Sequence, residues 1–184
     1  MQIRDTGLGY GIVTLIMHWI GAIAMISTVL VGLYLSWIAT DKESSDMLFI
    51  HASVGSAIFL LSSFRVYWRW RHYQPLPLGA VSPIAVMIAR AIAMGLLLAG
   101  VMLPLIGWFA VYTSARSVEI FGFYLLPSLA MPMEPLAGVV MFFHQLGAYV
   151  FIAGLLLHIF GGLKHHIVMK DKTLTRMLGE KVEL

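Results

Sequence analysis

The chain has 184 residues, 60% of them hydrophobic and 11% charged, with a formal net charge of +3 and a mean hydropathy of +0.88. That usage lies far outside the range of soluble globular domains and makes lipid the expected solvent; four spans of about 20 residues with their loops consume nearly the whole length, so no separate soluble domain fits. Cysteine is absent, which excludes a disulfide framework, thiolate-ligated iron–sulfur clusters and thioether-attached haem, and the modest basic excess suits membrane loops rather than nucleic acid.

The first apolar run begins at Ile12 and reaches Trp37. It is too long for a signal-peptide core and no small-residue cleavage site closes it, so it reads as a retained span, and it carries His18. An acidic connection holding Asp41, Glu43 and Asp46 leads into the second span, about 47–69, which opens with His51 and ends among Arg65, Arg69 and Arg71. The third span, about 86–112, has no histidine. From Ser117 to Pro135 the chain is apolar but dense in proline and glycine (FGFYLLPSLAMPMEP), which predicts an interfacial loop over one end of the molecule rather than a fifth crossing. The fourth span, about 137–166, carries His144 and His158, and after Asp171 the tail reads as a short amphipathic stretch. In hydrocarbon each span must satisfy its own backbone polar groups, so the expected fold is an all-α integral membrane four-helix bundle, a single domain over residues 1–184.

Basic residues assign the orientation. Arg4, Arg65, Arg69, Arg71, Arg90, Lys164, Lys170, Lys172, Arg176 and Lys181 fall on the side of the two termini, whereas the other side holds Lys42 and Arg116 among acids. The positive-inside rule places both termini in the cytoplasm.

Four of the seven histidines lie inside spans, where ionisable side chains are costly and usually functional. Topology sorts them by depth: His18 and His158 meet near the cytoplasmic side, His51 and His144 near the opposite one. His144 and His158 are 14 residues apart, roughly 21 Å along one helix and nearly on one face, so both can point inward. Each histidine also has a glycine about one turn on (Gly21, Gly55, Gly147, and Gly161 with Gly162), which leaves room for a flat macrocycle or, equally, for close helix packing. Zinc sites usually gather three or four ligands, often with a carboxylate, and no acid lies within the apolar windows of the spans; paired neutral imidazoles at two depths better suit two irons, each with both axial positions filled. Neutral histidines bonded to neighbouring helices, and methionine ligation from among twelve Met, are the competing readings at this point.

The motifs MHW around His18, IHASVG around His51, LPLIGW closing the third span, FHQLGAY around His144, LLHIFGGLKHH around His158 and the tail MKDKTLTRML together resemble the bacterial cytochrome b561 family, over nearly the whole chain. The resemblance implies two haem b groups, the inner held by His18 and His158 and the outer by His51 and His144. It also implies exchange of electrons with ubiquinone, with His165 at an inner quinone site and superoxide as a candidate periplasmic donor. Arg116, alone among cations in the long outer loop, can attract an anion such as superoxide or pair with a haem propionate, and stands as the candidate catalytic residue, with a solvated loop arginine as the competing reading.

Three functions follow as alternatives. The first is a di-haem oxidoreductase of the bacterial inner membrane, carrying electrons from superoxide or a redox protein in the periplasm to ubiquinone. The second is a haem-bearing anchor that conducts electrons from a periplasmic dehydrogenase or hydrogenase docked on the Ser117 to Pro135 loop. The third is a non-redox transport or scaffold protein whose histidines relay protons or link helices.

Overall fold

Four long helices form because apolar runs without charge have no better way to bury their peptide groups in lipid. In the computed structural model they are α1 (Ile12–Trp37), α2 (Asp41–Arg71), α3 (Pro83–Thr113) and α4 (Glu134–Ile167), all long and apolar enough to cross a membrane. The structure describes residues 2–180 except 8, 73, 74, 76 and 79–81, with the side chains of Asp41 and Lys42 and the whole of Lys181 outside the description. At 26 to 34 residues the helices span about 39–51 Å, longer than a hydrocarbon core of about 30 Å, so they tilt or carry their ends into the headgroup layer.

Three of the helices begin before the apolar windows, and local chemistry sets the starts. Ahead of α2, the Thr40 N–H and hydroxyl both donate to the Glu43 carboxylate, at 3.4 and 3.1 Å, completing a capping box. Ser82 caps α3 by accepting the Ala85 N–H at 3.2 Å, with proline next to it. Proline and Glu134 open α4, the carboxylate favouring the positive helix end.

Close seams run in chain order, α1 on α2, α2 on α3 and α3 on α4, with none of similar extent between α1 and α4. Small residues set these approaches: a side chain at Gly100 of α3 would collide with Ser62 of α2 and Met25 of α1. The face of α2 turned inward carries Ser53, Ser56 and Ser62, all buried. Outward faces present Ile23, Leu30, Leu60 and Phe160, each more than half exposed, which is an apolar girdle suited to lipid.

Both termini gather at one end. The Asp5 carboxylate is buried and accepts from Gly11 N at 2.6 Å and Thr14 Oγ at 2.9 Å; Trp68 donates to the same Thr14 hydroxyl. Trp19 donates to the Met177 carbonyl at 2.8 Å, tying α1 to the short helix α5 (Thr173–Met177), and Arg176 lies over the Tyr10 ring. At the opposite end the proline-rich segment contains a small antiparallel hairpin, β1 (Val118–Ile120) and β2 (Phe123–Leu126), where sequence reading anticipates only a loop. Its two-residue turn puts Phe121 and Gly122 at φ +50 and +80, the pattern that matches strand twist. Strand pairing satisfies backbone groups at the membrane boundary, and Phe121 N–H donates to Ser53 of α2 at 2.9 Å, fastening the hairpin over the bundle.

Candidate functional site

Two of the four intramembrane histidines face one another at each end of the bundle. At the end of the termini, the His18 ring of α1 lies 6.2 Å from the His158 ring of α4, centre to centre, across the gap that no close seam fills. At the hairpin end, His51 of α2 and His144 of α4 are 6.1 Å apart with their planes at 83°. The depth sorting made from topology is the pairing seen in space.

The hairpin-end pair is gripped by backbone. His51 Nδ1–H donates to the Thr28 carbonyl at 3.0 Å and His144 Nδ1–H to the Leu103 carbonyl at 3.1 Å, each on a neighbouring helix. These bonds fix the tautomer and leave both Nε2 lone pairs directed away from the tether. Two glycines make the approach possible. A Cβ at Gly32 would sit 2.9 Å from His51 Cε1, and one at Gly107 would sit 3.0 Å from His144 Cε1, so each ring rests against bare backbone. Next to the Leu103 acceptor is Pro104, which has no N–H to offer the preceding turn and loosens α3 at the level of His144.

Around this pair opens a cavity of about 590 Å³ that includes His51, His144, Gly55, Trp108 and Gln145. Its volume is in the range of cofactor pockets. Trp108 is itself positioned by donating to Ser56 Oγ at 3.0 Å. Arg116 and Glu119 stand at the same cavity under the hairpin, Arg116 exposed to the outside.

The terminal-end pair is surrounded by side chains instead. Arg65 of α2 reaches inward until Nη2 is 3.5 Å from His18 Nδ1, and its guanidinium lies against Gly21. Trp19 meets the His18 ring edge-on at 5.2 Å. Beyond the end of α4, His165 donates from Nδ1 to Asp171 at 2.5 Å, and the second carboxylate oxygen accepts Thr173 N–H at 2.8 Å. Burial alone would push the Asp171 carboxyl up, but the hydrogen bonds from His165 and Thr173 outweigh it and hold the group below its ordinary value.

The residues fit a metal held between paired imidazoles. Two imidazoles sharing a first-row metal through nitrogens about 2 Å from it would have ring centres roughly 6 Å apart, close to the 6.2 and 6.1 Å at the two ends. Among the described residues no group of three or more His, Cys, Asp or Glu comes together, so the donor sets are pairs. The glycines one turn from the histidines divide in role: beside Gly55, Gly161 and Gly162 an added Cβ would meet open space, whereas Gly147 packs against Leu103 and Gly21 against Arg65 and Leu61. Gly32, Gly107, Arg65 and the two carbonyl acceptors escape a reading of the sequence, since only the register between helices brings them to the histidines, and Asp171 escapes it because a local turn after α4 folds it back on His165.

The family model described as prokaryotic cytochrome b561 matches residues 9–180. Cytochrome b561 homolog 2 of Escherichia coli (strain K12) is 27% identical over 181 residues, 98% of this chain and 96% of that protein. The probable superoxide oxidase CybB of Yersinia pestis is 33% identical over 137 residues, 73% of this chain and 76% of that protein.

Proposed function

The chain belongs to the prokaryotic cytochrome b561 family, and from that membership, as a multi-pass membrane b-type cytochrome of electron transfer, we propose that it is a di-haem oxidoreductase passing electrons from a periplasmic donor to ubiquinone. The observation that carries this reading is the pair of facing imidazole couples, 6.1 and 6.2 Å apart, at opposite ends of α4. In it both termini are cytoplasmic, in the bacterial inner membrane, as the distribution of Lys and Arg supports.

His51 and His144 would hold the outer haem in the cavity under the hairpin, and His18 and His158 would hold the inner one. Haem b, when bound, supplies a one-electron ferric–ferrous couple, and two imidazoles on each iron favour electron transfer over oxygen binding. The chain's own residues do the rest. The carbonyls of Thr28 and Leu103 hold the outer rings in one tautomer, which leaves Nε2 as the nitrogen that would ligate. Arg116, exposed at the mouth of the outer cavity, draws an anionic donor such as superoxide toward it. His165, with Nδ1–H committed to Asp171, presents Nε2 where a proton can pass to a reduced quinone at the inner end. In balance, two superoxide anions each lose one electron to become dioxygen, while one ubiquinone gains two electrons and two protons.

The test is to supply superoxide to haem-replete purified protein with a short-chain ubiquinone and follow quinol formation beside spontaneous dismutation. Quinol formed at one per two superoxide consumed, and lost in a His144→Ala variant, is the expected result. Haem that stays oxidised under superoxide but is reduced by a docked dehydrogenase or hydrogenase would move the function to an anchor, for which the exposed Phe121, Phe123 and Tyr124 of the hairpin are the docking face.

A further inference from the structure

The two imidazole couples share one spacing but not one electrostatic setting. Backbone carbonyls that accept Nδ1–H, as at His51 and His144, make an imidazole a stronger electron donor and so favour the oxidised, more positive iron. His18 faces a guanidinium in the same place, with Arg65 Nη2 3.5 Å from Nδ1. That separation is at the outer limit of hydrogen bonding, so proximity of charge matters more than the bond itself.

At the terminal end the acids Asp5 and Asp171 are bonded to other groups, Asp5 to Gly11 N–H and Thr14 Oγ and Asp171 to His165 and Thr173. The Arg65 guanidinium stays protonated, and no carboxylate pairs with it among the described residues. The acids of the four helices, Asp41, Glu43, Asp46 and Glu134, all stand at helix starts on the hairpin side. A fixed positive charge in a low-dielectric setting penalises the iron state with one more positive charge, and so raises the tendency of that iron to be reduced.

We propose that Arg65 is a potential-setting residue, raising the reduction potential of the haem held by His18 and His158 above that of the haem held by His51 and His144. Electrons that enter at the hairpin end then run downhill to the terminal end, which gives the pathway its direction. The inference rests on the two-haem reading above.

Redox titration followed by absorbance, on wild type, Arg65→Gln and Arg65→Lys, tests it. Wild type is expected to resolve two midpoints. Arg65→Gln is expected to lower the upper midpoint and leave the lower one in place, and Arg65→Lys to restore most of the gap. The same Gln substitution in a His144→Ala background, with the terminal-end haem alone, is expected to give the same downward shift. Midpoints that do not move, or that move together, would overturn the assignment. Should Arg65→Gln release the terminal-end haem, retention decides: a Lys variant that keeps the haem at the wild-type potential supports a role for charge, and a Lys variant that loses it as well overturns that role. A wild type without haem would overturn the two-haem reading itself, whereas two haems with an unmoved midpoint overturn only the role of Arg65.

Discussion

At the hairpin end the facing histidines are tethered to the backbone of neighbouring helices and rest on glycines; at the terminal end they are flanked by Arg65 and Trp19. The ring spacings nevertheless differ by only 0.1 Å, 6.1 against 6.2 Å. On the di-haem reading one spacing suits the same kind of ligand at both ends, and the surroundings are left to tune orientation, charge and access. A backbone tether survives most substitutions and stays neutral, so it suits holding a ring. An arginine brings a full charge, so it suits biasing an electron.

The largest expected effect comes from filling the space behind one ring. Gly107→Leu puts a branched side chain where even a Cβ would lie 3.0 Å from His144 Cε1, and should displace the ring. Haem is expected to fall from two per chain to one, with the terminal-end haem retained at its own potential; a variant with both haems at wild-type potentials would show that crowding at Gly107 does not position His144. A smaller effect is expected from Arg116→Gln, at the mouth of the hairpin-end cavity. Reaction with an anionic donor should slow by about tenfold at low ionic strength, and the difference should shrink as salt screens the charge. Stopped-flow reduction at several salt concentrations would reveal a rate independent of residue 116 if steering lies elsewhere.

Smallest of the three is Asp171→Asn, at the terminal end. The Asp171 carboxyl is held below its ordinary value because its bonds to His165 and Thr173 outweigh its burial. A lowered folded-state pKa means that its contribution is present above the ordinary carboxylate range, about pH 4, and is lost as pH falls through the lower folded value. For a partly exposed pair this amounts to roughly 0.2–1 kcal/mol at neutral pH. Hydrogen exchange around residues 165–173 should therefore be faster in the Asn variant at pH 7 and converge with wild type in acid; equal protection at both would contradict it.

Much of the architecture is legible in the residues alone, because lipid permits few solutions. Four charge-poor runs must be helices, and histidines are rare enough inside them to be noticed, so His18, His51, His144 and His158 sort by depth from topology. The helix starts are legible too: Thr40 with Glu43 three positions on is a capping box, and Ser82 before Pro83 is a start signal. The hairpin was hidden by a Phe-Gly turn among prolines, where composition points to a loop. What could not be read is the register between helices. It puts Gly32 rather than Gly55 behind His51 and brings Arg65 of α2 to His18 of α1, while a local turn with Lys170 at φ +53 folds Asp171 back on His165.

The most direct measurement is haem per chain with reduced-minus-oxidised spectra for wild type and the four single variants His18→Ala, His158→Ala, His51→Ala and His144→Ala. Two haems in wild type are expected, with His18→Ala and His158→Ala losing the same one and His51→Ala and His144→Ala losing the other. A haem-free wild type, or losses that pair His18 with His51, would contradict two bis-histidine sites at opposite ends of the bundle.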